Sequence, residues 1–268
     1  MNKKINWWIP IIILAIIGLY YVYSNTIKAP TEPLVISADS VVLTRGCATP
    51  EASCFRVSFV FPSIVSDVPN RLTRNMLSDY LQMVEDSSSV STMNDFKNKL
   101  VENSLRFDSA FVDYTGAFPD AAYIDWYLKI NYEILRNDCK VLTIRYLYSD
   151  YMGGAHGIQN YHYQNYDVRK SKRIELTDVF ENVKNFYAVA ESAFNAKYLD
   201  GKGKSSVNFG FPNDKFTLPR EFGFGDKGLL LHYNVYEIAS YVQGDILLEI
   251  PYSSVKEILK PKWKYLVE

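Results

Sequence analysis

The chain has 268 residues, 48% of them hydrophobic and 22% charged, with a formal net charge of -1. That length allows one large domain or two small ones, and the balance excludes both a disordered chain and the basic surface that binding to nucleic acid demands. Aromatic residues reach 15%, with 21 tyrosines, a bias that favours strands with one buried and one wet face.

Residues 5–23 carry no charge and are almost wholly apolar. Nineteen residues at a rise of ~1.5 Å nearly match a hydrocarbon core of ~30 Å, so the run predicts an uncleaved transmembrane anchor. Lys3 and Lys4 precede it, which places the amino end in the cytoplasm and everything after Ser24 in the periplasm or outside the cell. A cleaved signal peptide is the rival, but the run is longer than the usual ~7 to 15 residues and ends without small residues. The expected organisation is an anchor over 1–24, a proline-bearing linker over 25–34, and two halves of one folded unit at 35–150 and 151–268. The fold class expected is α+β, a transmembrane helix followed by antiparallel sheets with segregated helices.

Strand patterns occupy residues 41–44 and 55–61, where Phe55, Val57, Phe59 and Phe61 alternate with polar positions. Cys47 and Cys54 bracket the segment between these strands, and their short spacing in an exported chain predicts a disulfide, with Cys139 left over. Leu72, Met76, Leu77, Tyr80, Leu81 and Val84 recur at helical spacing, and a weaker helix follows from Asp95 with Asn94 as its cap. Residues 126–134 and 142–148 alternate as a hairpin, and 161–168 reads as another strand. A helix at 183–198, strands at 229–235 and 245–250, and a short helix from Ser253 complete the pattern.

The recognised phosphate-binding, zinc-protease, serine-hydrolase and paired-cysteine motifs are absent, so neither a cofactor, a metal site nor a catalytic residue is expected. Three histidines occur, at 156, 162 and 232, without ligand spacing. The most distinctive stretch is Tyr151-Met152-Gly153-Gly154-Ala155-His156-Gly157. Its glycines permit positive φ and close backbone approach, and His156 either faces a ligand or satisfies buried backbone groups in a tight turn.

That stretch, with Asn165-Tyr166-Asp167 and Leu176-Thr177-Asp178-Val179-Phe180 after it, resembles the signature of a bacterial family of extracytoplasmic domains. A second block, Tyr236-Glu237-Ile238-Ala239-Ser240-Tyr241-Val242-Gln243-Gly244 running into Ile250-Pro251-Tyr252, is similar to that family's carboxy-terminal signature. The family pairs domains of unknown function numbered 4163 and 3298 and includes the outer part of the anti-sigma regulator RsiV and the non-catalytic part of the deacetylase PdaC. The resemblance spans residues 35–259, with a 4163-like first half and a 3298-like second half. It implies a non-enzymatic binding module of the cell envelope, recognising a cell-wall hydrolase such as lysozyme, or peptidoglycan. An anti-sigma role is disfavoured, because only Met1 to Lys4 precede the apolar run.

The implied binding residues are Gly153, Gly154, His156, Gly157, Asn165, Asp167, Tyr236, Glu237 and Tyr241. The alternative is an envelope hydrolase using His156 with Asp150, Asp167 or Glu237. The two signatures are further expected to pack together as one seam, the small residues allowing close approach.

Overall fold

The computed structural model describes residues 12–16, 30–48, 52–118, 125–200 and 209–268. It is a mixed α+β fold with two sheets, each carrying its own hydrophobic core.

The first sheet has six strands in the order β1-β2-β3-β4-β5-β6: β1 Ile36–Arg45, β2 Cys54–Ile64, β3 Asp125–Asn137, β4 Val141–Tyr151, β5 Ile158–Asp167 and β6 Lys172–Arg173. The alternating Phe55, Val57, Phe59 and Phe61 of β2 all bury one face, as their period of two requires. That face is covered by α2 (Asn70–Gln82), whose buried residues are Leu72, Met76, Leu77, Tyr80 and Leu81. Beside it lies α3 (Met93–Ala117), which buries Phe96, Leu100 and Phe111. Tyr80, Phe61 and Phe96 pack edge to face, with ring centroids 4.8 to 5.9 Å apart.

The helix expected from Asp95 begins earlier, at Met93. Its cap is Thr92, whose hydroxyl accepts from the Asp95 amide at 3.1 Å, rather than Asn94. The disulfide between Cys47 and Cys54 closes the β1–β2 connection, with Cα atoms 4.6 Å apart.

Two expectations are corrected. The sheets are not wholly antiparallel: β2 pairs with β3 in parallel, from Cys54 opposite Asp125 to Phe59 opposite Ile130. The connection between them contains α2 and α3, and a crossover of that length lets two strands run the same way. The second correction concerns the anchor. Among the described residues no helix is long and apolar enough to cross a membrane. Of the run at 5–23 only residues 12–16 are described, as helix α1. The expected single-pass anchor, and the localisation read from it, are therefore not supported. The remainder of that run and residues 25–29 lie outside the described residues.

The second sheet, β7 Glu221–Phe224, β8 Gly228–Tyr233 and β9 Ile246–Pro251, is antiparallel. It packs on α5 (Val183–Tyr198), capped by Asn182 and preceded by the one-turn helix α4 (Leu176–Val179). Phe194 of α5 is ringed by Phe209, Phe211, Phe216 and Tyr233. The expected terminal helix is the single turn α6 (Tyr252–Val255), continued by 3-10 turns in which the Trp263 indole donates to the Asp178 carbonyl at 2.7 Å.

The sheets join where β7 crosses β4 and β5. Gly223 sits so close that a Cβ there would overlap the Tyr163 ring and lie 3.2 Å from Thr143 Cγ2.

Candidate functional site

The β4–β5 loop and the segment after β8 meet at one edge of the molecule. Tyr151 ends β4 and its hydroxyl donates to the Gly154 carbonyl at 2.9 Å, folding the loop back on itself. Gly153 and Gly154 take φ of +92° and +97°, which side chains rarely adopt. Gly157 is required for space: a Cβ would lie 2.5 Å from the Asp150 carbonyl oxygen and 2.9 Å from the Tyr127 hydroxyl.

His156 projects from this loop and is exposed, with Nδ1 3.0 Å from the Gly157 carbonyl. A proton on Nδ1 satisfies that contact and leaves Nε2 to accept from the Tyr236 hydroxyl at 3.2 Å. The imidazole lies on the Tyr241 ring, 3.9 Å between centroids and 17° from parallel. The expected seam between the two signatures thus exists, but it is a wet aromatic edge. His156 does meet a backbone group, the Gly157 carbonyl, as the turn reading expects, but at an exposed position and not a buried one.

The turn carrying Tyr236 is strongly determined. Tyr236 has φ of +65°, a left-handed position uncommon for a bulky residue. Glu237 stitches the turn, Oε1 accepting from the Arg220 amide at 3.1 Å and Oε2 from the Asn234 amide at 3.0 Å. The Asn234 side chain ties the turn to β5, pairing with the Tyr161 amide and carbonyl at 2.6 and 2.9 Å.

The remaining expected site residues are elsewhere. Asn165 is buried, accepting from the Thr143 hydroxyl at 2.9 Å and donating to the Phe222 carbonyl at 2.7 Å, so it staples one sheet to the other. Asp167 ends β5, about 30 Å along the strand from the His156 loop at ~3.3 Å per residue. There it accepts from the Lys170 amide and faces Lys262. Asp150 accepts from the Tyr148 hydroxyl at 3.3 Å, and burial raises its pKa above the usual carboxylate range. His162 and His232 have carboxylate partners, Glu221 and Asp245, whereas His156 has none among the described residues. No group of three or more His, Cys, Asp or Glu side chains among the described residues is placed to hold a metal ion.

Two features had no sequence signal. One is a trough of adjoining cavities of about 500 and 290 Å³ between the α2 end, α3 and the sheet, with Val84, Phe107 and Met152 in both and Asp150, Tyr148 and His162 in the larger. Met152 brings the loop signature into it. Close by, Trp126 Nε1 is buried without a partner among the described residues, 3.9 Å from the place of a Cβ on Gly153. The other is a relay at the sheet junction, in which the Tyr163 hydroxyl donates to His232 Nδ1 at 2.8 Å and His232 Nε2 donates to Asp245 at 2.8 Å. Burial holds the His232 pKa below its usual value, against the pull of Asp245, and pushes Tyr163 up to about 12.

Residues 177–253 match the family model described as a protein of unknown function, DUF3298. The match holds the Tyr236 to Gly244 block and not the His156 loop. The fold is similar to the crystal structure of a DUF3298 family member from Bacteroides fragilis, at 20% identity and a TM-score of 0.65, covering 86% of this chain and 95% of that one. It is also similar to that of a DUF3298 family protein from Pseudomonas aeruginosa, at 17% identity and a TM-score of 0.58, covering 87% and 97%. No curated protein matches the chain.

Proposed function

We propose that this chain, with its DUF3298 segment, is a binding module, not an enzyme, that recognises a cell-wall hydrolase such as lysozyme, or peptidoglycan. The observation that carries the reading is the exposed edge where His156, Tyr236 and Tyr241 meet in three near-parallel ring contacts and one hydrogen bond. Rigid aromatic side chains offer large contact area at little entropic cost, which suits recognition. The Met152 trough beside them adds a cleft in which apolar side chains lie among Glu85, Asp150 and His162.

The hydrolase alternative finds no comparable support. Both His156 nitrogens are engaged, Glu237 spends both oxygens on its own turn, and Asp167 sits at the far end of β5. A general base needs its partner within ~3 Å, and that pairing is not assembled.

The test is binding of the full chain to immobilised lysozyme and, separately, to purified peptidoglycan. Saturable binding to one of them that weakens at least about tenfold in Tyr241→Ala supports the proposal. Binding to neither, or binding that Tyr241→Ala and Met152→Ala both leave unchanged, overturns it.

A further inference from the structure

We infer that the cavity under Tyr236 is a carbohydrate subsite, taking one neutral pyranose ring against the open face of Tyr236. The inference rests on the binding role proposed above and narrows its ligand to the glycan.

The cavity measures about 370 Å³, at the low end of small-molecule sites, and Asp214, Tyr236, Glu237, Ser240 and Gln243 line it. Tyr236 is 58% exposed, although its backbone sits in a left-handed conformation that strains a bulky residue. The turn hydrogen bonds described above, together with Tyr236 N to the Ala239 carbonyl at 3.1 Å, hold that conformation. Their outcome is an aromatic ring placed outside the core and prevented from turning inward.

The ring has a free face. The centroids of His156, Tyr241 and Tyr236 form a triangle of 3.9, 5.8 and 6.4 Å, with all three planes within 30° of parallel. Tyr236 therefore stands beside the His156–Tyr241 stack instead of between its rings. The axial C–H groups of a pyranose form an apolar patch that fits such a face, while its hydroxyls need donors and acceptors around the rim.

Those groups are present. Gln243 accepts through Oε1 from the Ser240 amide and hydroxyl, so its amide NH₂ is left as a donor. The Asp214 carboxylate has no partner among the described residues and serves as an acceptor. Asp214 and Glu237 make the cavity acidic, which disfavours phosphate or other anionic ligands. Phe209 and Ile238 also line it, so the rim's carboxylate, hydroxyl and amide groups surround an apolar floor, as a sugar with one apolar face requires.

The probe is an N-acetylglucosamine tetramer, titrated into the full chain by calorimetry and by ligand-observed NMR. The expected affinity is on the order of millimolar, as one small subsite gives. Tyr236→Ala weakens it at least about tenfold, Tyr236→Phe keeps it within about threefold because the face remains, and Gln243→Ala weakens it about threefold or more. Thermal melts confirm that each variant is folded, and Gln243→Ala carries the test if Tyr236→Ala is not. No binding by the unaltered chain, or binding indifferent to Tyr236→Ala and Gln243→Ala, overturns the inference. If lysozyme or peptidoglycan is still bound in that case, only the sugar subsite is lost; if neither is bound, the binding role falls with it.

Discussion

Replacing Asn165 by alanine tests whether this signature residue is a staple or a ligand contact. Asn165 is 1% exposed and joins Thr143 of β4 to the Phe222 carbonyl of β7. Truncation strands the Thr143 hydroxyl and removes a donor from the Phe222 carbonyl. Each buried polar group left unpaired costs about 1 to 3 kcal/mol, so the expected loss for the two is about 2 to 6 kcal/mol. Domains of ordinary stability hold only about 5 to 15 kcal/mol, and a loss of that size moves a urea midpoint by roughly 1 M or more.

Asn165→Asp sharpens the test through its sign. It keeps an acceptor for Thr143 but points a charged oxygen at a carbonyl in a dry junction, which raises the folded-state pKa of the new carboxyl. Only the protonated acid can donate to Phe222. The Asp variant should therefore be weak at pH 7 and regain stability as pH falls through that raised pKa. Urea unfolding followed by aromatic fluorescence measures both effects. A change below about 0.5 kcal/mol in Asn165→Ala, or an Asp variant as stable as the original chain at pH 7, refutes the staple.

Burial lowers the His232 pKa in the folded chain, so its share of stability is complete above the unfolded value of about 6.5 and is lost as pH falls below it toward the folded pKa. The unfolding midpoint should drop more between pH 7.5 and 5.5 in the original chain than in His232→Gln, and parallel curves would contradict this. Removing the Cys47–Cys54 bridge with a double serine variant should cost about 2 to 2.5 kcal/mol, because the closed loop is short, and reductant should reproduce that loss in the original chain. Gly157→Ala should lower stability by about 1 to 3 kcal/mol, since the Asp150 backbone and the Tyr127 hydroxyl leave the new methyl no room; an unchanged melting temperature would show that the loop yields freely.

Much of the secondary structure was legible because its causes are local. The alternation of Phe55 to Phe61 and the 3.6-residue stripe from Leu72 to Leu81 are properties of short stretches, and the same residues face the core. The cysteine pairing was legible for the same reason, as its partners are seven positions apart. An apolar run is legible too, yet the anchor read from residues 5–23 finds no spanning helix among the described residues. Strand direction is not local: a period of two reads identically in parallel and antiparallel pairs, so the β2–β3 pairing was hidden. β7 was missed because Glu221–Phe224 is short and contains a glycine whose purpose, clearing the Tyr163 ring, exists only after the sheets pack.

The site divides the same way. The glycines of the His156 loop announced a tight turn, but the exposure of His156 depends on Tyr236 and Tyr241, some 80 residues later. Asn165 and Asp167 look like neighbours of one motif, and adjacent packing gives them separate structural tasks. Backbone preference and apolar periodicity are carried by the chain itself, so sequence determines them. Which polar groups meet, and which remain open to solvent, is decided by the packing of two sheets whose contacts join residues 57 to 80 positions apart.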